Sequence, residues 1–308
     1  MFLSRLLPHP SLTPKGLEHL LQRYRIAKQF RINLGYAGNF ANPVTYHEKV
    51  QFRKLYGNHE FYASVADKVA VRKYVAARIG AWYLKPLLGV YDRLTPQILE
   101  ALPRPYIIKV NNACKRHFIV RKGERPDWRA VVDYFQSLRR QPYGRESGEI
   151  HYDHIPFKIL VEGLLQEPDG DLPWDYDIWC FNSRAGFRHI PSVISPRNEK
   201  MAFDEHWNLL QGPLPLGQVQ ERINPPQFEE MLRLARQLSA AFDFVRIDFS
   251  LVKGRIYFGE ITCTPGQGYT QITSKRRMHL LTQLWELDSR NPHLYRAPRA
   301  HQPTTTRK

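Results

Sequence analysis

"FVRIDFSLVKGRIYFGEITCTPGQG", residues 244–268, reads as two strands joined around Lys253 and Gly254. Period-two alternation puts Val245, Ile247, Phe249 and Leu251 on one face and Arg246 and Asp248 on the other. On the second strand Tyr257 and Ile261 are expected on the apolar face, while Phe258, Glu260 and Thr262 alternate away from it. A three-residue loop centred on Gly254 sets Asp248 directly opposite Glu260, with side chains about 5 Å apart. Two like charges so placed require a counterion. Magnesium (Mg2+) suits them, because it commonly reaches a protein through one or two carboxylates and completes its shell with water and phosphate oxygens. Arg246 on the same face can hold a phosphate or a carboxylate. Periodicity alone equally admits a solvated hairpin whose charges pair with Arg246 and Lys253. The ending "TCTPGQG" adds a hydroxyl, a rigid turn residue and glycines whose N–H groups can approach an anion closely.

The chain around this hairpin has 308 residues, 43% of them apolar, enough for a packed core in one large domain or in several lobes. Lys and Arg number 45 against 29 Asp and Glu, a formal charge of +16. Such a surplus attracts nucleotides, phosphorylated substrates, nucleic acid or an anionic membrane. The basic residues are spread along the chain without a zinc-finger, recognition-helix or RNA-binding signature, so no specific nucleic-acid partner is expected. Cys114, Cys180 and Cys263 are isolated and odd in number, which argues for a reducing compartment and against a disulfide framework or a closed zinc site. Without a signal-length or membrane-length apolar run, the expectation is a cytoplasmic protein, with room for loose attachment at the inner face of a membrane.

Helices are expected over 11–30, over 42–58 with Thr45 and Glu48 at capping-box spacing, and over 64–80, ended by Gly80. "YLKPLLGVYD", "PYIIKV" and "HFIVR" read as strands, with "NNACKRH" as a turn or lid between the last two. In "DWRAVVDYFQSLRRQPYG", Ala130, Val131, Tyr134 and Leu138 form the expected buried stripe of a helix. "PFKILVEGLLQ" and "DYDIWCFNSRAGFRHI" supply further sheet, and "PQFEEMLRLARQLSAAF" is an amphipathic helix. The whole is α+β. Expected divisions are a helical region over 1–60, a lobe over 61–105, a nucleotide subdomain with lid and hinge over 106–180, a metal-binding subdomain over 181–290 and a disordered tail over 291–308.

Taken in order, "TYHEKVQFRKLYGN", "VADKVAVRKYVAARIGAWYLKPLLGVYD", "YIIKVNNACKRHFIV", "ILVEGLL", "DYDIWCFN" and the opening hairpin cover roughly residues 40–270 and resemble the TupA-like group of ATP-grasp enzymes. The resemblance implies an ATP-grasp fold with its nucleotide site between two α+β lobes, and a ligase that uses ATP and Mg2+ to convert a carboxylate into an acylphosphate. An amine or saccharide acceptor then takes the acyl group, in cell-surface polysaccharide or glycopeptide biosynthesis. A sugar- or hydroxyl-modifying transferase and an inactive nucleotide-binding protein are the alternatives.

By the same resemblance Lys68 and Lys109 are the ATP lysines, and Val161, Glu162, Gly163 and Leu164 form the hinge that reads the base. Asp248, Glu260 and Thr262 hold the metal, and Arg246 acts with Lys109 on the transferred phosphate. Lys109 also has a local reading: a strand that buries Ile108 and Val110 presents it among apolar neighbours, where it needs an anionic or solvent outlet. Two features depart from the pattern. The lid "NNACKRH" has no glycine, so either Lys115, Arg116 or His117 replaces the backbone cradle or the lid suits ATP poorly. Asp177 stands where the family commonly has lysine. His151 and His154 flank Asp153 without a complete metal set, and are expected as acceptor-loop or surface groups.

Overall fold

A computed structural model describes residues 14–215 and 218–296. The first helices are α1 (Pro14–Leu34), α2 (Tyr46–Tyr56), α3 (His59–Ala66) and α4 (Val71–Ile79). The capping box opens α2 as expected: Thr45 Oγ1 accepts from the Glu48 amide, and Glu48 Oε2 accepts from the Thr45 amide at 2.9 Å.

The single helix expected over 64–80 is two helices. Asp67 caps the end of α3, and its Oδ1 takes the Val69 amide at 2.8 Å, a local bond that competes with helix continuation. The same oxygen accepts from Asn111 at 2.9 Å, and the Lys68 amide donates to the Asn111 carbonyl. The break therefore ties this segment to the lid. Gly80, at φ 99°, ends α4.

Strands β1 (Leu87–Tyr91), β2 (Tyr106–Val110), β3 (His117–Val120) and β4 (Ile159–Gly163) form a four-stranded antiparallel sheet in the order β1-β4-β2-β3. Its outer face is covered by α5 (Pro96–Ala101) and α6 (Trp128–Leu138), which bury Leu99, Val131, Phe135 and Leu138 against Tyr106, Ile108 and Val110. The stripe on α6 differs from expectation: Phe135 is in it, while Ala130 and Tyr134 are exposed. The positions 131, 135 and 138 repeat at helical spacing, so the wholly apolar Phe135 faces inward and Tyr134, with its hydroxyl, lies outside the stripe.

The short helix α7 (Tyr143–Ser147) precedes β4, and after β4 the chain enters the larger sheet, built from β5 (Trp174–Ser183), β6 (Gly186–Ile194), β7 (Lys200–Phe203), β8 (Leu209–Gln211), β9 (Phe244–Val252) and β10 (Arg255–Thr262). Its order is β10-β9-β5-β6-β7-β8, antiparallel throughout. The change of sheet thus falls between Gly163 and Trp174, and β5 runs across the expected 180/181 division. Between β8 and β9 lie α8 (Gln218–Ile223) and α9 (Phe228–Ser239), and α9 packs Met231, Leu234, Ala235 and Leu238 onto one face of this sheet. The last helix is α10 (Lys275–Leu284).

The expected tail over 291–308 does not begin at 291. Leu294 and Tyr295 are buried, Tyr295 bridges Gly57, and the Arg296 amide donates to the Tyr56 carbonyl. Residues 297–308 lie outside the described residues. Among the described residues no helix is long and apolar enough to cross a membrane.

Candidate active site

The opening hairpin is present with a different turn and an added bulge. Lys253 and Gly254 both take positive φ, 50° and 73°, giving a two-residue turn that pairs Val252 with Arg255, in place of the expected three-residue loop. Alone, that register would move Glu260 out of line with Asp248. The pairing shifts between Phe258 and Ile261, so that Gly259 and Glu260 together oppose Asp248. Gly259 makes the bulge possible, because a Cβ there would lie 2.9 Å from the Asp248 carbonyl oxygen. The bulge also corrects two placements: Ile256, Phe258 and Ile261 face the core, and Tyr257 faces away with Glu260 and Thr262.

Asp248 is directly opposite Asp177 on its other side, so carboxylates from β5, β9 and β10 stand in a row. Arg246 lies among them. It donates to Asp248 from Nε at 2.7 Å and from Nη2 at 2.6 Å, and to Thr262 Oγ1 at 3.2 Å. Its contacts with Glu260 and Asp177 are each 3.4 Å. Thr262 in turn donates to Glu260 Oε1 at 3.0 Å. One guanidinium facing three carboxylates leaves an excess of negative charge. Burial and the neighbouring Asp177 charge, only partly offset by Arg246, hold the Asp248 carboxyl above the usual range; burial does the same for Asp177. Glu260 is also desolvated, yet Lys68 and Arg246 bring its carboxyl below the usual range.

The smaller sheet faces this row. Lys109 and Ile107 lie on the side of β2 away from Ile108 and Val110, as alternation requires, and Glu162 is paired with Ile107. Lys109 Nζ reaches Glu162 Oε2 at 2.9 Å, and Arg72 Nη1 reaches Oε1 at 3.0 Å. Arg72 Nη2 also donates to the Lys85 carbonyl at 2.9 Å. Although Glu162 is desolvated, Lys109 and Lys85 hold its carboxyl below the usual range. Burial, reinforced by Lys109, lowers the Lys85 ammonium. Arg72 and Lys85 are not among the site residues expected from sequence. Arg72 stands four residues after Lys68, a helical spacing that offers a signal; nothing distinguishes Lys85 in "YLKPLL".

A cleft of about 290 Å³ lies between the sheets, lined by Lys68, Arg72, Lys85, Lys109, Lys200 and Arg246 and by Glu162, Asp175, Asp177, Asp248 and Glu260. Lys68 also holds the lid, its Nζ donating to the Ala113 carbonyl at 2.8 Å. Lys115 and Arg116 do not line this cleft. Lys115 is exposed at the outer end of the loop, at φ 56°.

At the hinge, the Gly163 and Leu164 amides donate to the Pro86 and Pro105 carbonyls at 2.9 and 3.1 Å, so both are engaged within the chain. Val161 packs into the core of the smaller sheet. The glycines after β10 also lie elsewhere than expected. Residues 265–268 dock on α2, where Gln51 donates to the Gln267 carbonyl and the His47 ring bonds the Gly268 carbonyl. Buried α2 side chains need acceptors, and the left-handed Gly266 and Gln267 turn those carbonyls toward them. His151 is buried beside Tyr62 and Tyr152, and His154 stacks on His59; neither reaches the cleft.

Among the described residues no three His, Cys, Asp or Glu side chains form a metal cluster. Asp248 and Glu260 nonetheless fit a hard divalent cation, being neighbouring oxygen donors in a locally negative site, with the rest of the shell left to water and ligand oxygens.

The sequence model of the TupA-like ATPgrasp family matches residues 48–284. No curated protein matches significantly. Among solved structures, the chain is similar to the D-alanine-D-alanine ligase of Helicobacter pylori at 15% identity and TM-score 0.45, over 72% of this chain and 62% of that one. It is similar to the VanG D-Ala:D-Ser ligase of Enterococcus faecalis at 14% identity and TM-score 0.40, over 71% and 59% of the respective chains. It thus spans less than two thirds of the length of these two ligases. The family match covers most of the chain, including every element that lines the cleft, and the chain belongs to the TupA-like ATP-grasp family.

Proposed function

We propose that the protein is an ATP-dependent carboxylate–amine ligase working through an acylphosphate, in the biosynthesis of a cell-surface polysaccharide or glycopeptide. One observation carries this reading: Arg72, Lys85 and Lys109 surround Glu162 on one side of the cleft, and Arg246, Asp248 and Glu260 face them from the other. Family membership supports ATP as the co-substrate and is the ground for the cell-surface role.

In this reading the cationic groups hold the triphosphate, and Lys68 couples its arrival to the lid through Ala113. Mg2+ held by Asp248 and Glu260, with Thr262 beside them, would supply charge neutralisation at the phosphates. A carboxylate oxygen of the substrate attacks the γ-phosphorus and ADP departs, leaving an acylphosphate. The acceptor amine then attacks the acyl carbon, the C–O bond to phosphate breaks, and the amine gives up a proton to the medium. Arg246 steadies the transferred phosphoryl group. Positioning and charge compensation carry such a reaction, and no nucleophilic side chain is required.

The test is a mass-spectrometric search for products from ATP, Mg2+ and pools of carboxylates and amines. The expected product has the mass of acid plus amine less water, with ADP and phosphate formed in equal amount. A phosphorylated hydroxyl compound would favour the transferase alternative, and tight ATP binding without any product would favour an inactive nucleotide-binding protein.

A further inference from the structure

Helix α1 is apolar on two sides, only one of which is covered by the described residues. Its inner side buries Ile26 and Phe30 against Phe40 and Leu55. On the opposite side Leu17, Leu21, Tyr24 and Ile32 are 50%, 47%, 64% and 65% exposed. The spacing 17, 21, 24, 28, 32 follows one line along a helix, with Lys28 as its one polar member. This concentration is unusual within the molecule: six of the eleven large hydrophobic side chains exposed among the described residues lie between positions 17 and 44.

The flanks of the line are basic. Arg25 and Arg31 lie on either side of it, with Arg23 farther round, and all three are exposed along with Lys28. Glu18, the helix's single carboxylate, is occupied by Arg145 at 3.4 Å. An exposed apolar line flanked by arginines is the pattern of a helix lying in a membrane interface, where the apolar side chains enter the acyl boundary and the basic ones meet anionic headgroups. An acidic protein surface would match the charges but would leave the apolar line against polar groups.

We infer that α1 is a docking face for an anionic lipid bilayer, with Leu17, Leu21, Tyr24 and Ile32 inserted and Arg25, Lys28 and Arg31 on the headgroups. This inference is independent of the ligase reading. Docking would orient the catalytic body through contacts already in place: Tyr269, after the turn that follows β10, packs against the inner side of α1, and Gln271 donates to the Asn33 carbonyl at 3.0 Å.

The test is co-sedimentation of the full chain with vesicles of phosphatidylcholine alone and of phosphatidylcholine mixed with phosphatidylglycerol. Binding is expected on the anionic vesicles, weakening as salt rises. Leu21→Glu/Tyr24→Glu should weaken it at least about tenfold, and Arg25→Ala/Lys28→Ala by a similar factor, since each basic residue near an anionic surface contributes on the order of 1 kcal/mol. Circular dichroism of the variants should match the parent, these side chains being exposed. Failure of the parent to bind anionic vesicles at low salt would overturn the inference, as would binding that ignores the Leu21/Tyr24 substitution. Self-association of the parent that the same substitution abolishes would assign the face to a second copy of the chain instead.

Discussion

Arg246 and Asp248, two residues apart on β9, form a bidentate pair at 2.7 and 2.6 Å, and the same guanidinium reaches toward Glu260 and Asp177 at 3.4 Å. Alternation along one strand puts the two side chains on one face, and the bulge at Gly259 brings Glu260 to them. Arginine here does for the row of carboxylates part of what a divalent cation would do. A ligand phosphate arriving with its own metal would therefore compete with Asp248 for Arg246.

If Asp248 and Glu260 hold the metal, Glu260→Gln should lower Mg2+-dependent ATP turnover by about a hundredfold or more, the order expected when a group stabilising transition-state charge is lost. The fold should survive, because the Glu260 side chain is 37% exposed to the cleft. The two halves separate cleanly in measurement. Turnover at saturating ATP and Mg2+ within a few-fold of the parent would dismiss the metal role, and a thermal midpoint only a few degrees from the parent would confirm that the loss is not unfolding.

Cleft geometry shifts the expected triphosphate contacts from the lid's basic side chains to Arg72 and Lys109. Each of the latter pairs with Glu162 inside the cleft, whereas Lys115 is exposed and Arg116 lies outside the lining. Removing a charge-assisted contact costs about 1.5–3 kcal/mol, roughly tenfold to a hundredfold in affinity. Arg72→Ala and Lys109→Ala should each weaken ATP by that factor and adenosine far less, because only ATP presents phosphates. Lys115→Ala/Arg116→Ala should leave both nucleotides within about twofold. Calorimetric titrations of the parent and the three variants decide the matter; an ATP affinity more sensitive to the lid pair than to Arg72 would reverse the assignment.

The pairing of Asp248 with Glu260 beside Arg246 is legible in the sequence from alternation along each strand, although through a three-residue loop that the structure does not have. Asp177 joins the row only through the pairing of β5 with β9. The bulge that keeps Asp248 and Glu260 together is signalled only by Gly259, a glycine inside a strand, and strict alternation without that bulge exchanges the places of Tyr257 and Phe258. Lys109 is legible from the same alternation. Arg72 carries only the weak signal of its spacing from Lys68 and Lys85 carries none, because their role depends on Glu162, which is distant in sequence and is brought near only when β4 pairs with β2. The break between α3 and α4 depends on Asn111, another distant partner. Local pattern thus identifies the strand faces, while ion pairs between distant segments emerge only from the tertiary pairing of the strands.

His151 provides a pH test of the packing between residues 150–154 and α3. It is 2% exposed, and burial, reinforced by the positive charges nearby, pushes its imidazole down to about 3, from an ordinary value near 6.5. The unfolded chain therefore binds the proton more readily than the folded one. Stability fully present above about pH 6.5 is lost as pH falls toward 3, by up to about 1.4 kcal/mol per pH unit from this group. Other groups titrate over the same range, so the informative quantity is the difference from His151→Gln, which should show a shallower acid slope. Urea denaturation at pH 7.5, 6.5 and 5.5, about the ordinary histidine range, should give parallel curves for parent and variant only if His151 is not the group responsible.

Arg53 of α2 is the principal buried tie between the helical region and the hairpin. Its Nη2 meets Asp243 at 2.5 Å, and its Nη1 donates to the Phe244 carbonyl at 2.8 Å and the Cys263 carbonyl at 2.7 Å. Those two carbonyls lie where β9 begins and just after β10 ends, so a single guanidinium joins both ends of the strand pair that carries the carboxylates. Tyr295 completes the network by donating to Asp243 Oδ2 at 2.8 Å, which explains why the chain near residue 295 is packed. Asp243→Ala leaves a buried arginine without its counter-charge and should cost about 3–5 kcal/mol. Tyr295→Phe removes one hydroxyl and leaves the ion pair intact, so it should cost only about 1–2 kcal/mol. Arg53→Met/Asp243→Leu, which removes both charges, should be much less damaging than the sum of its two single substitutions. Chemical denaturation of the series measures each value. A loss below about 1 kcal/mol in Asp243→Ala would show that the ion pair does not anchor the hairpin, because an uncompensated buried charge carries a far larger penalty.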